Sequence, residues 1–425
     1  MAPIRHLPVI QNWDCHQCGS CCTDYWVPVS EEERARILAQ GWHNEPEYRG
    51  KKLFVAYGPL WRRKFRLAQT KDDRCIFLDD RGLCKIHSKF GLAAKPFACR
   101  LYPYVLVPHG DHWRVSLRYA CPSAAANKGR CLGDVQDELG SLASEMEKWD
   151  RRPGYRRSSG KGLGDPPSLD GRQRLDWSDL HLFQNAVLAI LEDQRSPLAR
   201  RWLKCLALAR LCRQARFDTV RGGRLREFLD LVANAIEAET PQTLDALPPP
   251  GWIGRILFRQ FLAIFLRKDQ GLRRGISKQG RLALIGAMWR MLRGTGPLPQ
   301  LQVGLPECPL ESFEQPLGPL PPAAEEVLQR YYLVKTASLQ FCGPTYFGYN
   351  FWQGLEALAL TLPMIQWLIR GYRQLGQPAA AHKAVSIIDE NFGYNPILGS
   401  SRQRLALQIL SLRGELDRLI AWYSR

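Results

Sequence analysis

The chain has 425 residues, of which 45% are hydrophobic and 24% charged, a composition that excludes a disordered protein and provides for two or three domains of about 150 residues each. Lys and Arg outnumber Asp and Glu by 59 to 41, so the net charge of +18 draws polyanions: nucleic acid, acidic protein or a membrane surface. Met1–Trp13 lacks the basic-then-apolar order of a signal peptide, and the most apolar stretch, 355–369, is too short to span a bilayer and carries Glu356, Pro363 and Gln366, which points to a cytoplasmic protein with no transmembrane segment.

In chain order, the first signal is Cys15, Cys18, Cys21 and Cys22, a C-x2-C-x2-C-C run with Gly19 and Ser20 inside it. Ser30 followed by Glu33 is a capping box, predicting a helix that ends by Gly41. Cys75–Leu78, the Asp79-Asp80-Arg81-Gly82 cluster and Leu83–Ile86 read as a hairpin that brings Cys75 and Cys84 together. A second hairpin is predicted over Tyr104–Tyr119, turning at His109-Gly110-Asp111. The run 151–171 has linker composition; its Gly160-Lys161-Gly162-Leu163-Gly164 pattern follows no strand and precedes Pro166-Pro167, so it fails as a nucleotide loop.

Beyond Leu175 the apolar spacing predicts helices at 177–194, 197–215, 224–239, 252–268, 279–293, 323–341, 352–376, 379–391 and 402–423, with breaks at 241–251 and 294–322. The fold class is therefore α+β. A small irregular cysteine-rich domain occupies 1–150, a linker 151–171 and a mainly α-helical domain 172–425, divided into two lobes near 294–322. Cys205, Cys212, Cys308 and Cys342 have no ligand spacing and are expected to pack in the core.

Nine of the thirteen cysteines precede residue 132. In a reducing compartment such clustering points to ligands over disulfides. Cys15, Cys18 and Cys21 have the spacing of zinc or iron–sulfur ligands, and the set is large enough for two centres. In an extended segment Cys21 and Cys22 would face opposite ways, one to each centre or one to the core. Cys75, Cys84, Cys99 and Cys121 sit at turns and strand ends that can fold round an ion. His87 is an additional ligand candidate, whereas Cys131 lies in a polar stretch and is not expected to bind. The cofactor is zinc or a 4Fe-4S cluster.

CxxCGxCC, then C-x-F-L-x5-C-x-I-H, then Lys95 to Pro103 (K-P-x-x-C-R-x-Y-P) and Cys121-Pro122 together resemble the CxxCxxCC cysteine-cluster family, associated with zinc or iron chelation. The resemblance spans the first third of the chain. It implies that Cys15, Cys18, Cys21, Cys22, Cys75, Cys84, Cys99 and Cys121 bind the metal. Arg100 and Tyr102 would stand behind them, Arg100 offsetting thiolate charge. Some family members are flagellin lysine N-methylases that use S-adenosylmethionine, which makes a protein-lysine N-methyltransferase the alternative function. Tyr102, Tyr104 and Asp111 are then candidates to deprotonate the lysine.

The leading reading is a metal-binding protein whose helical domain recognises a protein partner or substrate. Nucleic acid is the weaker choice of partner. Between 251 and 293 ten Lys/Arg face the single acid Asp269, but charge runs usually solvate a surface, and Phe258, Phe261, Phe265 and Trp289 share helical spacing with Ile256, Leu257 and Leu262, the pattern of a core.

Overall fold

A computed structural model describes residues 3–150 and 164–425. The glycine-rich pattern that begins at Gly160, and most of the expected linker, lie outside the described residues. The chain opens with α1 (Ser20–Asp24), strand β1 (Pro28–Val29) and α2 (Glu31–Ala39). Strands β2 (Phe54–Tyr57) and β3 (Lys64–Leu67) then complete a three-stranded antiparallel sheet in the order β1-β3-β2. The capping box forms as expected. Glu33 N–H donates to Ser30 Oγ at 3.2 Å and Ser30 N–H to Glu33 Oε2 at 2.9 Å, and Gly41 beyond the helix takes a left-handed φ of 75°.

Helices α3 (Lys85–Phe90), α4 (Phe97–Leu101), α5 (Pro122–Ala125) and α6 (Gln136–Asp150) follow, with the hairpin β4 (Tyr104–His109) and β5 (His112–Leu117) between α4 and α5. That hairpin is the one read from the alternating pattern; it pairs Tyr104 with Leu117 and closes with His109 opposite His112. The stretch 75–84 differs from its expected hairpin. It forms no strands; Leu78 makes an isolated bridge with Cys84, and Cys75 bridges Gln69 instead of pairing across the turn. Its turn is tied by Asp79, whose Oδ1 accepts from Arg81 N–H (2.9 Å) and Leu83 N–H (2.7 Å), and that side-chain cap leaves too few residues for a ladder.

The remainder is helical: α7 (Trp177–Glu192), α8 (Leu198–Gln214), α9 (Gly222–Glu239), α10 (Trp252–Leu266), α11 (Arg281–Arg293), α12 (Pro322–Ala337), α13 (Phe351–Gly371), α14 (Gln377–Asn391), α15 (Ser401–Leu412) and α16 (Glu415–Tyr423). The expected helix 402–423 is two, because Gly414 breaks it with a φ of 67°. Among the described residues no helix is long and apolar enough to cross a membrane.

Two buried clusters organise the molecule. A small one joins Val29, Ile37, Trp42, Tyr48, Leu67, Phe77 and Ile86. The large one takes in α7 to α16 together with the hairpin, through Leu106, Trp113, Val115 and Leu117. Cys205, Cys212 and Cys342 are buried in it and Cys308 packs against it, as expected. Phe258, Phe261 and Phe265 are core residues too, but Trp289 is 64% exposed. Helix α11 turns Ala287 and Met291 inward, and two residues from either is the opposite side of a helix. The basic stretch is not a solvated face throughout. Arg273 pairs with Asp24, Arg274 with Asp73 (2.7 Å) and buried Lys268 with Asp24 (3.4 Å), binding the helical half to the cysteine region.

Candidate metal centre

The thiols are placed by four short segments. Gly19 enters α1 with a φ of 68°, and its carbonyl accepts from Cys22 N–H (2.9 Å) and Thr23 N–H (3.1 Å), so Cys21 and Cys22 lie on a turn of helix and not on extended chain. Successive residues then diverge by about 100° instead of 180°. Their Sγ atoms are consequently 3.9 Å apart, which corrects the expectation that they face opposite ways. Cys75 N–H donates to Cys22 O (2.8 Å) and ties the second segment to the first. Cys84 stands at the start of α3, reached through the Asp79 turn, and Cys99 sits on α4. Helix α4 is itself held by Glu33, whose Oε1 accepts from Phe97 N–H at 2.5 Å. One carboxylate thus caps α2 and positions the segment bearing Cys99.

Electrostatically these five thiols form one group. Burial pushes Cys75 up to about 12, with Cys84 and Cys21 adding to the rise. Burial raises Cys99 well above the ordinary thiol value, helped by Cys75, Cys21 and Cys84 and opposed by Lys95. Cys21 is raised first by its contact with Cys22 and then by burial. Lys95 is the cation of the group. Its own burial would lower its pKa, but Cys99, Cys84, Cys21 and Cys22 outweigh that and raise it. Lys95 lies within the K-P-x-x-C motif, yet nothing local to that motif says that it faces four cysteines.

A second, smaller group surrounds Cys121, which precedes α5. Burial raises this thiol, the N–H groups of Ala124 and Ser123 oppose the rise, and Cys18 is its sulfur neighbour. Cys15 and Cys18 are exposed, and His16 between them contacts Ser123 Oγ at 3.2 Å, so the first knuckle lies along α5. Tyr102 links the two groups, with Cys121 and Cys21 both acting on its buried hydroxyl. Arg100 turns elsewhere. Its Nη2 makes a forked contact with Glu145 of α6 (2.6 and 2.8 Å) and its Nε donates to Lys95 O (3.2 Å). It therefore fixes the Lys95 backbone instead of donating to sulfur. His87 is exposed on α3. Cys131 donates to Val9 O at 3.4 Å and bridges Asn12. Tyr104 and Asp111 belong to the β4–β5 hairpin, where Asp111 pairs with His112 (2.8 Å) and Arg5 (3.2 Å).

Among the described residues, no three Cys, His, Asp or Glu side chains converge on a common point as a finished ion site. The donor chemistry nevertheless fits a soft divalent ion. Tetrahedral zinc with sulfur at about 2.3 Å sets neighbouring sulfurs about 3.8 Å apart, and Cys21 and Cys22 stand at 3.9 Å.

Residues 14–131 match the model of the CxxCxxCC family, described as a "putative zinc- or iron-chelating domain". The resemblance carried by the cysteine motifs is thus met, and the matched span contains every thiol of both groups. No curated protein and no solved structure matches the chain.

Proposed function

We propose that this chain is a metal-dependent protein in which a thiolate-bound ion, zinc or iron, organises the region 14–131 and holds it on the helical half. Four of the five thiols Cys21, Cys22, Cys75, Cys84 and Cys99 supply the ligands of the main centre; Cys15, Cys18 and Cys121 belong to a second. The observation that carries this reading is the gathering of cysteines from the matched span into one region of the fold: Cys21 and Cys22 Sγ stand 3.9 Å apart, Cys75 N–H donates to Cys22 O at 2.8 Å, and the thiols at 75, 84 and 99 act electrostatically on one another and on Lys95. Neutral buried thiols gain little from such a gathering, whereas a divalent ion draws off their protons and replaces several weak contacts by strong bonds. Four thiolates on one divalent ion leave surplus negative charge, and Lys95 is placed to offset it.

The role is structural in the first instance. The small cluster that includes Val29, Trp42 and Phe77 is thin for the loops it must hold, and a thiolate-bound zinc contributes roughly 10–16 kcal/mol of apparent binding energy. The 3.9 Å Cys21–Cys22 spacing favours a single ion over a cubane, in which each thiolate takes its own iron at a separate corner.

Anaerobic purification with metal and acid-labile sulfide analysis tests this. Bound zinc or iron without stoichiometric sulfide is expected, with metal lost in Cys75→Ser and Cys99→Ser and kept in Cys131→Ser. Chelation should unfold the region around Trp42 while most far-ultraviolet helix signal persists. Stoichiometric sulfide would replace the single-ion centre by a cluster; a metal-free native protein with freely titrating thiols would remove the reading altogether.

A further inference from the structure

Beside the cysteine region, a cavity of about 290 Å³ opens between the end of α1, the end of β5, the end of α10 and the loop after α14. Its walls are charged, and almost every charge is already matched. Asp24 pairs with Lys268 (3.4 Å) and Arg273, Glu390 with Lys268 and Arg273 (3.7 Å), and Arg267 with Asp269 (2.6 Å).

Arg118 is the exception. Among the described residues no carboxylate forms an ion pair with it. Its Nη2 donates to Glu390 O (2.9 Å), and its Nε is buried with no acceptor. Three tyrosines surround the guanidinium, with ring centres at 3.7 Å for Tyr394, 4.8 Å for Tyr25 and 5.8 Å for Tyr102. Their faces offset part of the charge but accept no hydrogen bonds in its plane. A part-buried cation with spare in-plane donors is complemented by a planar or tetrahedral oxyanion, which a guanidinium grips through parallel N–H bonds.

We propose that this cavity binds a small anion bearing a carboxylate or phosphate group, with Arg118 receiving its charge. The volume suits a compact ligand, just below the roughly 300–1,000 Å³ of sites for drug-sized molecules. Neutral ligands would leave the guanidinium unmatched, and cations would meet it directly. Tyr25 and Tyr102 lie in tilted contact with ring centres 5.4 Å apart, and Cys21 and Cys121 act on the Tyr102 hydroxyl, so the cavity wall adjoins the cysteine region. The site uses no thiol, and its test reads anion binding whichever metal is present, so it stands or falls separately from the metal centre.

Calorimetric titration of the full chain with inorganic phosphate and with succinate, each against chloride of equal ionic strength, decides the matter. Saturable binding of one anion per chain is expected, and the stronger arm identifies the group recognised. Arg118→Gln should weaken it at least tenfold, and Gln270→Trp, an exposed lining position where an indole fills the mouth, should do the same without touching the core. Failure of both anions to bind saturably overturns the proposal. So does unchanged affinity in Gln270→Trp, which decides alone if Arg118→Gln does not fold.

Discussion

Replacing Asp389 with alanine should be among the costliest single changes in the helical half. Its Oδ1 lies 2.6 Å from Lys335 Nζ, and both side chains are fully buried. Its Oδ2 accepts from Tyr119 N–H (2.5 Å) and Ala120 N–H (3.3 Å), the two residues before Cys121. Lys335 also donates to Leu117 O (2.8 Å) and Gln340 Oε1 (2.9 Å), so removing Asp389 leaves a buried ammonium with dipoles but no counter-charge. Breaking a buried pair in this way costs about 3–5 kcal/mol. At about 2.1 cal/mol/K of unfolding entropy per residue, this corresponds to a fall in Tm of roughly 3–6 °C if the chain unfolds as one unit. The double variant Lys335→Met/Asp389→Leu removes both charges and should recover the part of the loss that comes from the unpaired ammonium, while the N–H groups of Tyr119 and Ala120 stay without their acceptor. Urea and thermal unfolding of the wild type, both single variants and the double variant form the necessary cycle. A loss under about 1 kcal/mol in Asp389→Ala, or a double variant as unstable as the two singles added together, would refute the reasoning.

Three further outcomes follow from local chemistry. His109 is buried beside Arg114, His181, His112 and His6, and burial first, then those charges, lower its pKa from 6.5 to about 2. The unfolded chain therefore takes up a proton that the folded chain refuses, so stability is full above pH 6.5 and falls by up to about 1.4 kcal/mol per pH unit as pH drops from there toward 2. His109→Phe should flatten that part of the pH profile of urea unfolding. Ser30→Ala should cost about 1 kcal/mol as an ordinary lost cap. Glu33→Ala should cost more, about 2–4 kcal/mol, because it strands the buried N–H groups of both Ser30 and Phe97. Arg100→Ala should cost about 1 kcal/mol through Glu145 and leave bound metal, read by elemental analysis, unchanged; loss of metal would restore Arg100 to the centre.

The elements read most faithfully from the chain were those whose signals are local. The capping box of α2 lies within four residues, the β4–β5 hairpin alternates over a few residues on each arm, and α7 to α14 repeat apolar residues every turn. The cysteine motifs are local signals too, and the family they resemble is the one whose model matches residues 14–131. Trp289 escaped because periodicity tells which residues share a face but not whether another element covers it. The hairpin expected at Cys75–Cys84 did not form strands, because Asp79 satisfies the turn backbone with its own side chain.

Sequence order alone could announce that sulfur is gathered in the first third and that helices make up the rest. It could not say which thiols lie near one another, that Lys95 feels their charge, that Asp24 meets Arg273 across 249 positions, or that among the described residues Arg118 has no carboxylate to pair with. Those arrangements depend on packing between distant segments, where each charge or thiol takes its properties from neighbours that no local pattern encodes.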